Sequence, residues 1–222
     1  MASRLIYPKI IVEQELWQHG LLVVAGVDEV GMGPLAGPVV AAAAVFPPTI
    51  MEGAECTEDR QDPKDGLPEA FPQGVRDSKT LTPKARARLE IEIRRIAIGL
   101  GIGIVDENEI DRINIYQAGL KAMRLALEQL PVVPEHVLID GRVLKDNPWP
   151  QSSFKKGDRD VYSIAAASII AKTYRDRLMT DLDRKYPEYG FARHMGYGTI
   201  AHRVALRRYG PCPAHRRSFR LL

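Results

Sequence analysis

The sequence lacks a hydrophobic run of about 18 residues or more, which a membrane-spanning helix would need. Its first 20 residues carry charges throughout, so they also lack the apolar core of a secretory signal peptide. There are only two cysteines, Cys56 and Cys212, and they form neither a disulfide framework nor a metal-binding spacing. These absences predict a cytoplasmic protein in a reducing environment.

The motifs of several enzyme classes are missing as well. The stretch GMGPLAG at 31–37 is not the GxGxxG of a dinucleotide site and lacks the GK[ST] of a P-loop. No GxSxG occurs, and neither cysteine has an activating local context. The histidines form no HExxH or CxxC-type set, so we expect them to be solvated, structural or phosphate-facing. They are His19, His136, His194, His202 and His215.

Charges of opposite sign are separated along the chain, although the net charge is only +3. Residues 52–69 are strongly acidic, whereas residues 189–222 contain no acid at all. A polyanion is the favoured partner of this basic tail, and an ordinary solvated surface is the alternative. The arginines of the tail are Arg193, Arg203, Arg207, Arg208, Arg216, Arg217 and Arg220.

Hydrophobic periodicity predicts an α/β protein. Strands are predicted at 21–27, 37–46, 96–105, 136–140 and 152–156, and helices at 83–96, 115–130, 161–186 and 199–210. Thr82 and Pro83 form an N-cap and first-turn pair that starts the first of these helices. Residues 47–74 are rich in proline, glycine and acid, which predicts a long surface loop. The length of 222 residues suits one domain, or one domain with an appended lobe.

Four acids stand where the pattern predicts the end of a buried strand or the start of a buried helix. Asp28 and Glu29 follow one apolar run, Asp140 ends another, and Asp158 precedes the apolar helix. Buried charges are costly unless they are paired or bind a metal. Taken singly, Asp158 could cap the helix and Asp140 could be an ordinary turn residue. The adjacent like charges of Asp28 and Glu29 have no such simple structural explanation.

These acids could share a cation. Asp28 and Glu29 start on opposite faces of a strand, but a turn of the backbone and the longer glutamate side chain would let them converge. Four carboxylates without His or Cys ligands indicate a hard ion, Mg²⁺ or Mn²⁺. Two such ions beside a cationic surface are typical of phosphoryl transfer on a nucleic acid. The residues alone therefore indicate a metal-dependent nuclease, with polymerase-like or phosphatase chemistry as alternatives.

Several long segments occur in the order found in bacterial ribonuclease HII, and the sequence resembles this family from about residue 20 onward, apart from 47–74. The segments are VAGVDEVGMGPLAGPVVAAAAV, DSKTLTPKAR, VLIDG, KKGD, SIAAASIIAKTYRDRLM, YPEYGF, HMGYGT and HRRSF. The resemblance implies a ribonuclease H-like fold, in which helices flank a mixed central sheet. It also implies a catalytic domain at 1–186 and a basic C-terminal helical lobe at 187–222.

The resemblance implies an endonuclease of ribonucleotide excision repair, which cuts RNA–DNA hybrids and nicks duplex DNA 5′ of a single embedded ribonucleotide. The products would carry 3′-hydroxyl and 5′-phosphate ends. The catalytic, metal-binding acids would be Asp28, Glu29, Asp140 and Asp158, holding two Mg²⁺ or Mn²⁺ ions, with Asp28 bridging both. Asp160 competes with Asp158 for the fourth position, and Asp176 is expected to be structural.

Five substrate contacts are implied as well. Gly31, Met32 and Gly33 would form the turn that senses the ribose 2′-hydroxyl, since glycine lets backbone approach a sugar closely. Tyr197 would stack on the sugar that follows the ribonucleotide. The alternative is a tyrosine that is simply packed in a glycine-rich turn. Lys79 would hold a backbone phosphate, with a solvated lysine as the alternative.

Two methionines depart from the family pattern, because Met32 stands where arginine is usual and Met195 where lysine is usual. Ser168 and Lys172 either face the site or pack the helix on the sheet. The intact acids favour an active monomeric ribonuclease HII. The methionines motivate two alternatives: a hybrid-binding protein with weakened catalysis, and a related ribonuclease H with relaxed junction sensing.

Overall fold

The computed structural model describes residues 7–49, 67–145 and 147–222, and a mixed five-stranded sheet forms its centre. The strands are β1 (Val24–Val30), β2 (Val39–Val45), β3 (Gly99–Val105), β4 (His136–Asp140) and β5 (Gln151–Phe154). They lie in the order β3-β2-β1-β4-β5. The β1–β2 and β2–β3 pairs are antiparallel, whereas β1–β4 and β4–β5 are parallel. The predicted α/β class is confirmed, and β1 is the central strand.

Helices cover both faces of this sheet. They are α1 (Ile11–Gln18), α2 (Pro83–Ile96), α3 (Glu107–Ile113), α4 (Ile115–Glu128), α5 (Gly157–Asp160), α6 (Tyr162–Lys185), α7 (Phe191–His194) and α8 (Ile200–Tyr209). Helix α4 packs on one face of the sheet, and α6 packs on the other together with α1 and α2. None of the helices in the described parts of the chain is long and apolar enough to cross a membrane.

Small residues let these helices lie close to the sheet. Strand β2 reads VVAAAAV, and each of its residues is buried. Gly101 and Gly103 of β3 lie directly beneath the backbone carbonyls of Ala126 and Ala122 in α4, where a Cβ atom would collide with them. Packing this tight leaves little room for the central strands to shift, so it fixes the side chains at their ends.

Most predicted elements are confirmed, but the position of β1 was wrong. Strand β4 spans the predicted residues, and α2 begins at Pro83 with Thr82 Oγ1 accepting from the Ala85 amide at 3.2 Å. Strand β1 runs from Val24 to Val30 instead of 21–27. A run of apolar residues indicates burial but does not show which backbone groups form hydrogen bonds. The prediction therefore missed that the β1–β2 ladder continues to Val30. The acids at 28 and 29 therefore lie inside the strand.

An N-terminal helix, α1, was not predicted. The segment before it joins the start of α6, because the Tyr162 amide donates to the Lys9 carbonyl at 3.0 Å. The helix itself brings Glu13 to the same place, where its Oε1 accepts from the Ser163 amide at 2.8 Å. Helix α6 has no side-chain cap from its own N-cap residue, Val161. The buried Glu13 therefore supplies the cap from another element.

The residues after 186 share a third core with the turn that follows β1. Tyr189, Phe191 and Leu206 pack there against Leu35 and Met179. The predicted boundary at 186/187 falls where α6 ends, and the division into a catalytic domain and a lobe stays a prediction. The predicted loop at 47–74 lies mostly outside the described residues, which omit 50–66.

Candidate active site

Asp28 and Asp140 lie next to each other on the two central parallel strands. The β1–β4 ladder puts them at the same level, one residue beyond the pair of Val27 and Ile139. Leu138, two residues before Asp140, points into the core under α6, so both acids face α6 as well. Asp28 is only 3% exposed.

Glu29 lies on the opposite face of β1, toward α4. Its Cγ is 3.8 Å from the position that a Cβ atom on Gly119 of α4 would occupy. Its backbone amide donates to Asp28 Oδ1 at 2.8 Å, which ties the two neighbouring acids together. The Asp28 and Glu29 side chains therefore lie on opposite faces of β1, as expected from the sequence. The hydrogen bond between the two residues is local to the strand.

Asp158 is held by a short helical turn, α5, beside the end of β4. The turn begins after Lys156, whose φ of 66° is in the left-handed region. The Gly157 amide donates to Asp140 Oδ1 at 2.6 Å, so α5 is anchored on Asp140. Asp158 lies in the first turn of α5 and is buried. It does not cap α6, which was the structural alternative considered for it.

The four acids influence one another strongly. Burial raises the pKa of Asp28 well above its usual range, and the charges of Glu29, Asp140 and Asp158 raise it further, while a hydrogen bond from Ser168 of α6 lowers it. Burial, followed by the charge of Asp140, raises the pKa of Glu29 to about 7. Burial also raises the pKa of Asp140 and of Asp158. The predicted acids are thus brought into one electrostatic cluster.

Two residues of the DSK segment join this cluster. Lys79 Nζ lies 3.7 Å from Asp158 Oδ2, and the Lys79 side chain is 72% exposed. Burial alone would lower the pKa of Lys79, but Asp158 and Asp28 raise it, and the net shift is upward. Asp77 was not predicted: it accepts from the Lys79 amide at 2.9 Å, and its charge contributes to the raised pKa of Asp158 and of Asp140. Its signal in the sequence was its place two residues before Lys79.

The chemistry of the cluster suits a hard divalent cation. Its donors are carboxylate oxygens, the ligands that Mg²⁺ and Mn²⁺ prefer. Within 7–49, 67–145 and 147–222, no group of three or more His, Cys, Asp or Glu side chains already stands in an arrangement that could hold an ion. Burial raises the pKa of Asp28 and of Glu29, and repulsion between the neighbouring acids raises both further. A divalent cation would compensate that repulsion, so the four acids fit such an ion by charge and donor type.

The glycine turn after β1 lies beside Tyr197. Gly31 has a φ of 95°, a conformation that favours glycine. A Cβ atom on Gly33 would lie 3.6 Å from Tyr197 Cε1, and the Tyr197 side chain is 48% exposed. The turn and Tyr197 come from distant segments of the sequence, and the fold brings them together in one partly exposed surface. We call residues 31–38 together with residues 194–198 the contact surface.

Both unusual methionines take part in packing. Met32 is partly buried, and its Sδ lies 3.0 Å from the position of a Cβ atom on Gly119 of α4. Met195 has a φ of 51° and packs, partly buried, against the C-terminal core. An apolar side chain therefore has a structural use at each of these positions.

Two buried arginines hold the contact surface from beneath. Arg216 donates to the carbonyls of Gly31, Met32, Pro34 and Gly37. Arg175 donates to the carbonyls of Ala36, Pro38 and Met195. Arg175 was not predicted as a site residue, and Arg216 was expected in the basic surface of the tail. That expectation was wrong for Arg216, which is 0% exposed, whereas Arg207, Arg208, Arg217 and Arg220 are exposed.

The remaining acids near α6 have simpler roles. Asp176 forms ion pairs with Lys172 at 2.5 Å and with Arg86 at 3.0 Å, which agrees with the structural role expected for it. Asp160 is exposed. Ser168 is fully buried, and its Oγ is 2.9 Å from Ser78 Oγ. Of the two helix residues considered, Ser168 faces Asp28, and Lys172 faces Asp176.

Two histidines of the C-terminal part are structural, one of the roles expected for them. His202 and His215 are buried, and their Nε2 atoms are 3.0 Å apart. His202 Nδ1 is 2.9 Å from the Tyr197 carbonyl, so it supports the same loop. Burial lowers the pKa of His202, and burial together with His202 lowers that of His215 to about 4.

Comparisons with known proteins agree with this architecture. The family model for ribonuclease HII matches residues 25–222. The chain is 49% identical over 209 residues to a ribonuclease HII of Acetivibrio thermocellus, covering 94% of this chain and 74% of that protein. It is 47% identical to a ribonuclease HII of Syntrophotalea carbinolica, covering 94% and 90%. The crystal structure of ribonuclease H2 from Pyrococcus horikoshii superposes with a TM-score of 0.69 at 28% identity, covering 90% of this chain and 94% of that one. The chain therefore belongs to the ribonuclease HII family, whose members are endonucleases of the ribonuclease H type.

Proposed function

We propose that this endonuclease cuts RNA–DNA hybrids and also nicks duplex DNA on the 5′ side of single embedded ribonucleotides, leaving 3′-hydroxyl and 5′-phosphate ends. The observation that supports this most is the position of the acidic cluster. Asp28 is buried inside the central strand, two residues before its end, and Gly31 to Gly33 follow that strand directly in the chain. The cutting groups and the proposed ribose-sensing turn are therefore parts of one short segment.

The four acids are proposed to hold two divalent ions, Mg²⁺ or Mn²⁺. Metal dependence is typical of the ribonuclease H family. Asp28, whose pKa the charges of the other three acids raise, would hold the ions together with those acids. When bound, such ions supply a nucleophilic water and neutralise charge on the leaving 3′ oxygen. Glu29, Asp140 and Asp158 would complete the ligand set, and the bound ions would neutralise the carboxylate charge that otherwise repels the phosphate.

Lys79 and the contact surface are proposed to place the substrate. Lys79 pairs with Asp158 while most of its side chain stays exposed, so it can bind a backbone phosphate next to the cluster. The exposed backbone at Gly33 offers the close approach that a ribose requires. Tyr197, beside Gly33, is proposed to stack on the sugar that follows the ribonucleotide.

The enzyme is proposed to act as a monomer in the cytoplasm on duplexes that contain ribonucleotides. The exposed arginines near the C-terminus, such as Arg207 and Arg217, support a polyanionic partner. These arginines follow residues 194–198 of the contact surface in the chain. They add exposed positive charge outside the acidic cluster.

The test compares Asp28→Asn with Asp160→Asn on a duplex that contains one ribonucleotide. Asp28→Asn should lower kcat/KM at least about a hundredfold. The loss of a residue that only hydrogen-bonds to a metal ligand already costs up to about that much, and Asp28 is proposed as a ligand itself. Asp160 is exposed two residues after Asp158, so Asp160→Asn should cut normally. In addition, Mn²⁺ should raise the Tm of the wild type and not that of Asp28→Asn. Cutting that survives in Asp28→Asn would refute the proposed catalytic set.

A further inference from the structure

Arg175 and Arg216 are unusual among the buried residues. They are 1% and 0% exposed, and neither forms an ion pair within the parts of the chain that the structure describes. Burying an unpaired charge is costly, so a guanidinium is retained in such a place only if its five donors are satisfied in another way. Here the acceptors are backbone carbonyls.

Those carbonyls belong to the contact surface. Arg216 Nη2 lies 2.7 Å from the Gly31 carbonyl, and its Nη1 lies 2.8 Å from the Pro34 carbonyl. Arg175 crosses between the two halves of the surface, because its Nε donates to Pro38 at 2.9 Å and its Nη1 to Met195 at 3.1 Å. The two side chains come from α6 and from the C-terminal tail, so they link three segments that are distant in sequence.

A direct backbone bond reinforces the same junction. The Leu35 amide donates to the Gly196 carbonyl at 2.8 Å. A Cβ atom on Gly196 would collide with the Ala36 carbonyl, and a Cβ atom on Gly31 would collide with Arg175. The backbone of the contact surface is therefore packed directly on itself and on the guanidinium groups.

Lysine could not replace either arginine in this arrangement. The planar guanidinium presents its donors as a rigid fork, whereas a lysine ammonium is a single point with three donors. Arg216 reaches four carbonyls on different sides of the turn, and its own backbone amide also donates to the Leu35 carbonyl at 2.9 Å. A lysine at this position would keep the charge but leave several buried carbonyls without a donor.

We propose that Arg175 and Arg216 are positioning residues that determine substrate specificity, because they fix the Gly31–Gly33 turn and the Tyr197 loop as one rigid surface for testing the sugar of the ribonucleotide and the sugar that follows it. This inference rests on the proposed function of that surface. A ribonucleotide followed by a deoxyribonucleotide can be told from a continuous RNA strand only if the two halves keep a fixed separation. A shift of about 1 Å in a positioning group costs up to about a hundredfold in rate.

The experiment measures the ratio of kcat/KM on a single-ribonucleotide duplex to kcat/KM on a uniform RNA–DNA hybrid. Arg216→Lys should lower this ratio between about tenfold and a hundredfold. The effect of Arg175→Lys should be smaller, since that side chain makes fewer bonds. The matched control is Arg124→Lys, because Arg124 also donates to a backbone carbonyl, that of Lys145 at 2.7 Å, outside the contact surface. This control should leave the ratio unchanged.

The ratio separates positioning from stability, because loss of folded protein lowers both rates by the same factor. If Arg216→Lys is isolated unfolded, the milder Arg175→Lys decides by the same ratio. A folded variant with the wild-type ratio would overturn the inference while leaving the proposed function intact. A wild-type enzyme that does not cut at single ribonucleotides would instead refute the proposed function.

Discussion

At the scale of single residues, Met32 and Met195 are apolar where the family resemblance predicts basic side chains. Met32 packs on Gly119 of α4, and Met195 packs on the C-terminal core. Lys79 supplies an exposed positive charge near the cluster. We therefore expect phosphate binding at this site to depend less on salt than it would with arginine at position 32.

Met32→Arg tests this expectation. A guanidinium cannot remain in the apolar contact with α4 without a large cost, so we expect it to turn outward beside Gly33. It should then tighten substrate binding and steepen the dependence of log affinity on log salt concentration by at most about one unit. Binding is measured by fluorescence anisotropy at several salt concentrations without a divalent ion. Met32→Leu is the control, because it keeps the apolar contact and should leave the salt slope at the wild-type value. If Met32→Arg also has the wild-type slope, its side chain points elsewhere.

At the scale of elements, the start of α6 depends on the N-terminal helix. Glu13 of α1 caps α6 at Ser163, and α6 carries the Ser168 hydroxyl toward Asp28. The family match begins at residue 25, so α1 lies outside it. Helix α1 thus supports the helix that backs the acidic cluster.

Removal of this cap should destabilise the protein. Glu13→Ala leaves the buried Ser163 amide without an acceptor, which costs about 1–3 kcal/mol of the free energy of unfolding. Glu13→Gln keeps an acceptor at the same position, so its loss should be clearly smaller. Urea unfolding of the metal-free proteins measures both. Equal stabilities of Glu13→Ala and the wild type would show that the cap contributes nothing.

The elements that the sequence predicted well are those with local signals. Thr82 and Pro83 mark the start of α2, and the short apolar run before Gly141 marks β4. Helix α1 was missed because its stability comes from contacts with α6, which its own sequence does not show. The position of β1 was wrong because the ladder with β2, rather than hydrophobicity, sets where the strand ends.

At the scale of the whole molecule, the predictable part of the site is the part that violates the hydrophobic pattern. Asp28 and Asp140 could be identified because carboxylates are costly where buried strands end. Arg175 and Arg216 could not, because all but one of their carbonyl partners are 137 to 185 residues away in the chain. In the sequence Arg216 looked like one more charge of a basic tail, and only the fold shows that it is buried.

The central claim is that one short segment, residues 28–33, joins cutting to ribose sensing, and the position of the cut tests it most directly. A duplex with one internal ribonucleotide, labelled at the 5′ end of that strand, is incubated with the enzyme and Mg²⁺ or Mn²⁺, and the product is sized to a single nucleotide. We predict one nick, immediately 5′ of the ribonucleotide, with a 3′-hydroxyl that a DNA polymerase can extend. Nicks at other positions, a 3′ end that cannot be extended, or equal cutting of the all-DNA duplex would contradict the account.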